Sequence, residues 1–238
     1  CASLNCILAS SNSSDIFTGL TPGNFYFLKV DGASNTNGES LCISDYVNND
    51  ECADAITLPV SSSLNDYQLL QTTNIGSTQT FANCSNGTSA VRDIWYKFTA
   101  AGPRHIVFAG YGAGISMYWE VFSGTCGNLT SIRCKSGGVS ADTVTGLTAG
   151  NDYYLRVFSS AADKIFTVGI INFSNDDCSG AINITPSATP AFDKTKLYST
   201  EFASQSQPGC IGSADDDVWF KFTAATTSQG IIIVENAI

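Results

Sequence analysis

The sequence predicts an all-β fold: tandem antiparallel β-sandwich modules, jelly-roll or immunoglobulin-like, stapled by disulfides. Three observations carry this. Long phrases recur: Asp93-Ile94-Trp95-Tyr96-Lys97-Phe98-Thr99 returns as Asp217-Val218-Trp219-Phe220-Lys221-Phe222-Thr223, and the phrase from Gly146 to Val157 is matched earlier by Gly19 to Val30. Their offset of about 125 residues far exceeds the roughly 20–50 residues of a solenoid repeat, so the unit is a whole domain. Short runs of Val, Ile, Tyr, Phe and Thr are also broken by Gly-, Ser- and Asn-rich turns, with no helical periodicity between them. Finally, the nine cysteines follow the repeat, with Cys52 and Cys84 spaced as Cys178 and Cys210 are.

Asn49-Asp50-Glu51-Cys52-Ala53 and Asn175-Asp176-Asp177-Cys178-Ser179 are polar, turn-forming phrases that mark module starts. Cutting there gives the C-terminal part of a module (1–48), a complete module (49–174) and the N-terminal part of a third (175–238). The two parts are complementary. Either the chain is a window on a long array, the preferred reading, or the parts are completed by neighbouring copies of the chain.

Within the complete module, Ile94, Tyr96 and Phe98 alternate with Trp95, Lys97 and Thr99, as in a strand with two unlike faces. Ile106-Val107-Phe108, Ile115 to Phe122, Thr143 to Leu147, Tyr153 to Phe158 and Phe166 to Ile171 follow as strands. Gly-Leu-Thr-x-Gly-Asn reads as a tight turn whose glycines supply backbone angles that other residues resist. Strands at this spacing predict a sandwich of two antiparallel sheets.

The cysteines lack paired C-x-x-C spacing, and His105 is the one histidine, so metal ligation explains them poorly. Disulfides explain them better and imply an oxidising, extracellular location. The spacing suggests bridges Cys52–Cys84, Cys178–Cys210, Cys126–Cys134 and Cys1–Cys6, each closing a short loop, with the partner of Cys42 upstream. A net charge of -10 argues against nucleic acid as a partner. No apolar stretch approaches the roughly 20 residues of a transmembrane helix.

The combined phrases resemble tandem modules of secreted and surface proteins of Bacteroidota. The resemblance rests on Asn49 to Ala53, Asp93 to Phe98, Val121-Phe122-Ser123-Gly124-Thr125-Cys126 and Gly146 to Val157. More remotely, the chain is similar to the pre-peptidase C-terminal β-sandwich. The resemblance implies export, commonly through the type IX system, and a role in adhesion, surface display or substrate targeting. It also departs from the pattern: Lys135-Ser136-Gly137 stands where an Asn-Asp-Asp often follows the second cysteine of the short loop.

No catalytic constellation is legible. A triad needs a nucleophile, a base and an orienting carboxylate together, and His105 reads as a surface residue after the Ala101-Gly102-Pro103 turn. Asp215, Asp216 and Asp217, with Asp93, form the candidate calcium set, since clustered carboxylates become stable around a hard cation. The alternative is that Asp93 and Asp217 cap the turns before their Trp strands. Alternation places Trp95 with Lys97, Tyr154 with Arg156, and Trp219 with Lys221 on outer sheet faces, where aromatic and cationic groups stack sugars or dock a neighbouring module. Asp142-Thr143-Val144 resembles the Asp-[Ser/Thr]-[apolar] O-glycosylation site of Bacteroidota, making Thr143 the candidate. The expectation is therefore an extracellular structural or adhesive repeat protein, part of a surface fibre. Its partners would be neighbouring modules, copies of itself, glycans or host surfaces. The alternative is a carbohydrate-binding or spacer array attached to a secreted hydrolase.

Overall fold

In the computed structural model, residues 6, 9, 15–30, 43, 49–62, 68–82, 84, 92–110, 117–135, 140–159, 164–172, 174–187, 200, 203–209 and 216–233 are described. The strands are β1 (Ile56–Thr57), β2 (Val60–Ser61), β3 (Leu70–Thr73), β4 (Arg92–Thr99), β5 (Arg104–Gly110) and β6 (Tyr118–Thr125). They continue with β7 (Asn128–Lys135), β8 (Ser140–Thr145), β9 (Asp152–Ser159), β10 (Ile165–Asn172), β11 (Ile182–Asn183) and β12 (Phe220–Lys221). The first sheet runs β1-β4-β9-β6-β7, and the second runs β2-β10-β5-β8, with β3 also on β10. Among the described residues no helix is long and apolar enough to cross a membrane. The fold is the expected all-β sandwich.

Period-two alternation builds the core. Ile94, Tyr96 and Phe98 of β4 turn inward to meet Val107 and Ala109 of β5, Trp119 and Val121 of β6, Leu155 and Val157 of β9, and Phe166, Val168 and Ile170 of β10. Fully burying a large apolar side chain contributes roughly 1.5–3 kcal/mol, so this layer dominates the stability of the sandwich. Tyr96 belongs to it because its hydroxyl donates to Thr72 Oγ1 at 2.7 Å. Burial pushes its phenol up to about 12, so it stays a neutral donor. Leu58 and Pro59 carry the chain from β1, parallel to β4, across to β2, parallel to β10.

Two devices close the sandwich. Gly124, in the left-handed region at φ 98°, turns β6 towards β7, and a Cβ there would lie 2.2 Å from the Asn128 carbonyl oxygen. At the open edge, Arg133 and Lys135 of β7 reach Asp142 of β8 at 2.6 and 3.5 Å, tying one sheet to the other. Burial opposes ionisation of Asp142. Hydrogen bonds from Arg133 and the Thr143 N–H, with the nearby cations, more than offset this and hold its carboxyl below the ordinary value.

Several expectations need correction. The disulfides are Cys52–Cys126 and Cys84–Cys134, so the four cysteines pair crosswise rather than as Cys52–Cys84 and Cys126–Cys134. The bridges span 74 and 50 residues of sequence. In the chain-entropy model loops of that size contribute about 4 kcal/mol each, more than the short loops would. Cys178 is exposed and forms no disulfide among the described residues. Cys6 is exposed, and Cys1, Cys42 and Cys210 lie outside the described residues. Strand β7 falls where only a short cysteine loop was expected, because the extra residue Ile132, opposite the step from Val121 to Phe122, and the polar residues of Asn128–Lys135 hide the alternation. Strand β8 begins at Ser140 and ends at Thr145, instead of running from Thr143 to Leu147.

His105 is also corrected, from the surface to the interior. It is fully buried against Phe98, and its Nε2 accepts the Ala101 N–H at 3.1 Å. Burial lowers its pKa from 6.5 to about 4, while Nδ1 has no hydrogen-bond partner among the described residues. Between those values the unfolded chain binds a proton that the native state does not, so stability is present above pH 6.5 and is lost as pH falls towards 4. Urea unfolding at pH 7 and pH 4.5 should show His105→Gln losing about 2 kcal/mol less than the parent chain over that interval.

Candidate functional site

The outer face of the first sheet carries a three-by-three grid set by strand register. Asp93, Phe158 and Tyr118 form one row, Trp95, Arg156 and Glu120 the next, and Lys97, Tyr154 and Phe122 the third. An outer face would ordinarily meet water. Here the segment 74–82 lies over it, and Trp95, Arg156, Asp93 and Phe158 are fully buried.

Arg156 sits at the centre. Its Nε and Nη2 donate to Asp93 Oδ2 at 2.8 and 2.6 Å, Nη1 donates to the Ala82 carbonyl at 2.9 Å, and Nη2 also donates to the Phe81 carbonyl. Glu120 Oε2 is 3.7 Å from Nη1, and the guanidinium carbon lies 4.5 Å from the Phe158 ring centre. Asp93 is filled from its other side: Thr80 donates its hydroxyl at 2.7 Å and its N–H at 3.0 Å. The Trp95 indole N–H donates to the Thr80 hydroxyl at 3.2 Å. Phe81 then covers Trp95 and Phe122, with ring centres 5.7 and 6.0 Å away.

The phrase Asn49-Asp50-Glu51-Cys52 pins this cover. Asn49 exchanges hydrogen bonds with the Trp95 backbone, its carbonyl accepting at 2.7 Å and its amide donating at 2.9 Å. Asp50 accepts the Thr78 N–H at 2.6 Å and its hydroxyl at 3.0 Å. Cys52–Cys126 packs with Trp95 and Phe122, and Cys84–Cys134 ties the far end of the cover to β7.

The same bonds recur beyond residue 174. The Asn175 carbonyl accepts the Trp219 N–H at 2.7 Å, Asp176 accepts the Ser204 N–H at 2.6 Å, and the Trp219 indole donates to Ser206 Oγ at 2.6 Å. Asp217 accepts the Ser206 and Gln207 amides. This segment rests on the second sheet. Arg104 Nη1 reaches Asp176 at 2.6 Å and Ser204 Oγ at 2.8 Å, while Ala203 and Val218 pack on Ile106, Ile171 and Ala141.

Of the expected contact residues, Trp95 and Arg156 are therefore interior groups, and no sugar ring reaches them. Lys97 and Lys221 are exposed, and Tyr154 and Trp219 are half-buried. Asp93 is an ion-pair partner with its oxygens occupied, and Asp217 accepts backbone amides, so capping describes both better than calcium ligation. Asp216 stands at a bend, Asp215 lies outside the described residues, and among the described residues no three His, Cys, Asp or Glu side chains converge on a cation position. Thr143 is half-buried within β8.

Sequence reasoning missed Glu120, Thr80, Phe81 and the Arg104–Asp176 contact. For Glu120 a signal existed, a lone carboxylate between Trp119 and Val121 in an apolar strand. Thr80 and Phe81 carried none, since the cover has no periodicity.

The architecture is that of a disulfide-bonded two-sheet β-sandwich whose first sheet has its outer face sealed by an irregular segment. The chain belongs to the T9SS-associated, galactose binding domain-like family, whose model matches residues 48–173. That association with type IX secretion accords with a secreted or cell-surface protein. Comparison with curated proteins gave no match.

Removing one member of a buried pair strands the other charge, so Arg156→Met should cost about 3–5 kcal/mol in chemical unfolding. Asp93→Leu in the Arg156→Met background should recover part of that loss, whereas Lys97→Ala should stay within about 0.5 kcal/mol of the parent.

Proposed function

We propose that the chain is a stretch of an extracellular structural and adhesive repeat protein, with β-sandwich modules stacked end to end in a surface fibre. The observation that carries this reading is the seat of the C-terminal segment on the second sheet. There a buried carboxylate, Asp176, receives Arg104 beside the apolar patch of Ile106, Ile171, Ala203 and Val218. A loose linker would need neither. Each new module would be oriented by its predecessor, and the sealed outer face of the first sheet leaves the modules to act by position more than by a pocket.

A second reading, glycan binding, draws support from the galactose binding domain-like description of the family and from exposed Lys97 beside half-buried Tyr154. Passage of the full chain over immobilised polysaccharides separates the two. Elution with the void favours the structural reading, and retention lost on Tyr154→Ala favours glycan binding.

Hydrogen exchange tests the junction directly. Arg104→Ala removes a charge-assisted bond worth roughly 1.5–3 kcal/mol, so exchange of the Ser204 amide should rise about tenfold or more. An unchanged rate would sink the oriented-junction reading.

A further inference from the structure

We infer that the joint between the sandwich and the segment after residue 174 is released by acid, with His105 as the group that takes up the proton. This rests on the oriented-junction reading and deepens it by naming what undoes the junction.

His105 stands at the root of both arms that hold the joint. On its own strand the preceding residue is Arg104, whose Nη1 reaches Asp176 Oδ2 at 2.6 Å and Ser204 Oγ at 2.8 Å. On the neighbouring strand its register partner is Asn172, the last residue of β10, from which the chain runs on to Ser174–Asp176. Alternation separates the faces. Ile106 turns outwards with Arg104 to meet the incoming segment, while Val107 and Ala109 turn inwards on the side that His105 shares with Phe98. The histidine therefore acts on the segment from beneath, through the strand end that both arms share.

Its hydrogen bonding leaves no place for a second proton. Nε2 accepts the Ala101 N–H at 3.1 Å, so the neutral ring carries its proton on Nδ1. A second proton goes to Nε2, where it meets the Ala101 N–H, donor against donor. Nδ1 gives nothing in exchange, having no hydrogen-bond partner among the described residues. The surroundings offer a charge no relief either. Phe98 of β4, Val144 of β8 and Asn172 of β10 stand around the ring with the turn at Ala101, and none of them is charged. A Cβ on Gly102 would lie 3.1 Å from Asn172 Oδ1, so that turn is tight against the strand pair. Tyr153 stacks on Phe98 with its hydroxyl accepting the Thr148 N–H, and Asp152 is held by the Thr99 hydroxyl. Arg104 and Asp176 meet on the outer face.

Protonation is met by opening the turn. A charge without a partner in that interior is strongly disfavoured, whereas swinging residues 100–104 outwards gives both ring N–H groups to water. The motion carries Arg104 off Asp176 and loosens the end of β10 at Asn172. Ala203 and Val218 then keep only apolar contacts with Ile106 and Ile171, which fix no orientation. The lowered His105 pKa, about 4, expresses the same balance. The closed turn excludes a proton that the open turn binds, so opening is favoured as pH falls from 6.5 towards 4.

Amide exchange and histidine NMR on the full chain test this, with each rate taken relative to the unstructured rate at the same pH. Between pH 7 and pH 4.5 the Ala101 and Ser204 amides should together lose about thirtyfold in protection. Over the same interval the His105 ring nitrogens should pass from the Nδ1–H tautomer towards the imidazolium. In His105→Gln, whose side-chain oxygen can accept the Ala101 N–H without titrating, both amides should change by less than about threefold. Loss of Ser204 protection in His105→Gln to the extent seen in the parent would assign the release to Asp176 and overturn the inference. So would a parent chain in which Ala101 opens while Ser204 stays protected, a result that needs no variant to fold. Arg104→Ala at pH 7 keeps the two readings apart. If it leaves Ser204 exchange unchanged, the oriented junction itself fails; if it frees Ser204 and acid does not, release through His105 fails alone.

Discussion

The arginine at the centre of the first sheet constrains everything around it. Arg156 lies on the outer face, flanked by Trp95 and Glu120, and is fully buried. A guanidinium held there is tolerable only if its N–H groups are all met, since an unpaired buried charge costs several kcal/mol. Asp93 meets two of them, and the carbonyls of Phe81 and Ala82 meet others. Those carbonyls belong to an irregular segment, so the segment must be held in place. That requirement accounts for Asp50 on Thr78, Thr80 on Asp93, and the Cys84–Cys134 bridge at its far end. The opening phrase, through Asn49 and Asp50, and the Cys84–Cys134 bridge are therefore two ends of one clamp.

The clamp changes what the surface offers. Aromatic and cationic residues that alternation assigns to an outer face are consumed internally, with Arg156 over Phe158 and Phe81 over Trp95. What remains outside is the exposed edge of the grid at Lys97, and the outer face of the second sheet. The latter is where Arg104, Ile106 and Ile171 receive the next segment. The charged contact and the apolar patch lie side by side there, and together they set an orientation that either alone would leave loose.

Legibility in the sequence followed periodicity. Strands β4, β5, β9 and β10 were readable because their apolar residues recur every second position, and their inward side chains form the core as expected. Strand β7 was not, because its residues alternate around a bulge at a half-exposed edge. The cysteines were readable as disulfide-bonded but not as pairs, since pairing depends on which strands lie side by side: Cys126 at the β6–β7 turn is close to Cys52 only once β4, β9 and β6 have aligned. His105 was misread because turn residues precede it, although its place between Arg104 and Ile106 on an alternating strand turns it inward against Phe98.

By itself, the sequence determined the all-β class, the strands of the core and the internal correspondence of Asp93 with Asp217 and Arg156 with Lys29, because these are matters of local pattern and of repetition. The tertiary structure decided which face is covered, which cysteines meet and what the charged residues do. A carboxylate such as Asp93 looks the same in a calcium site and in an ion pair until its neighbours are known. Those neighbours, Thr80 from a loop and Arg156 from a strand 63 residues away, are brought to it only by the sheet and its cover.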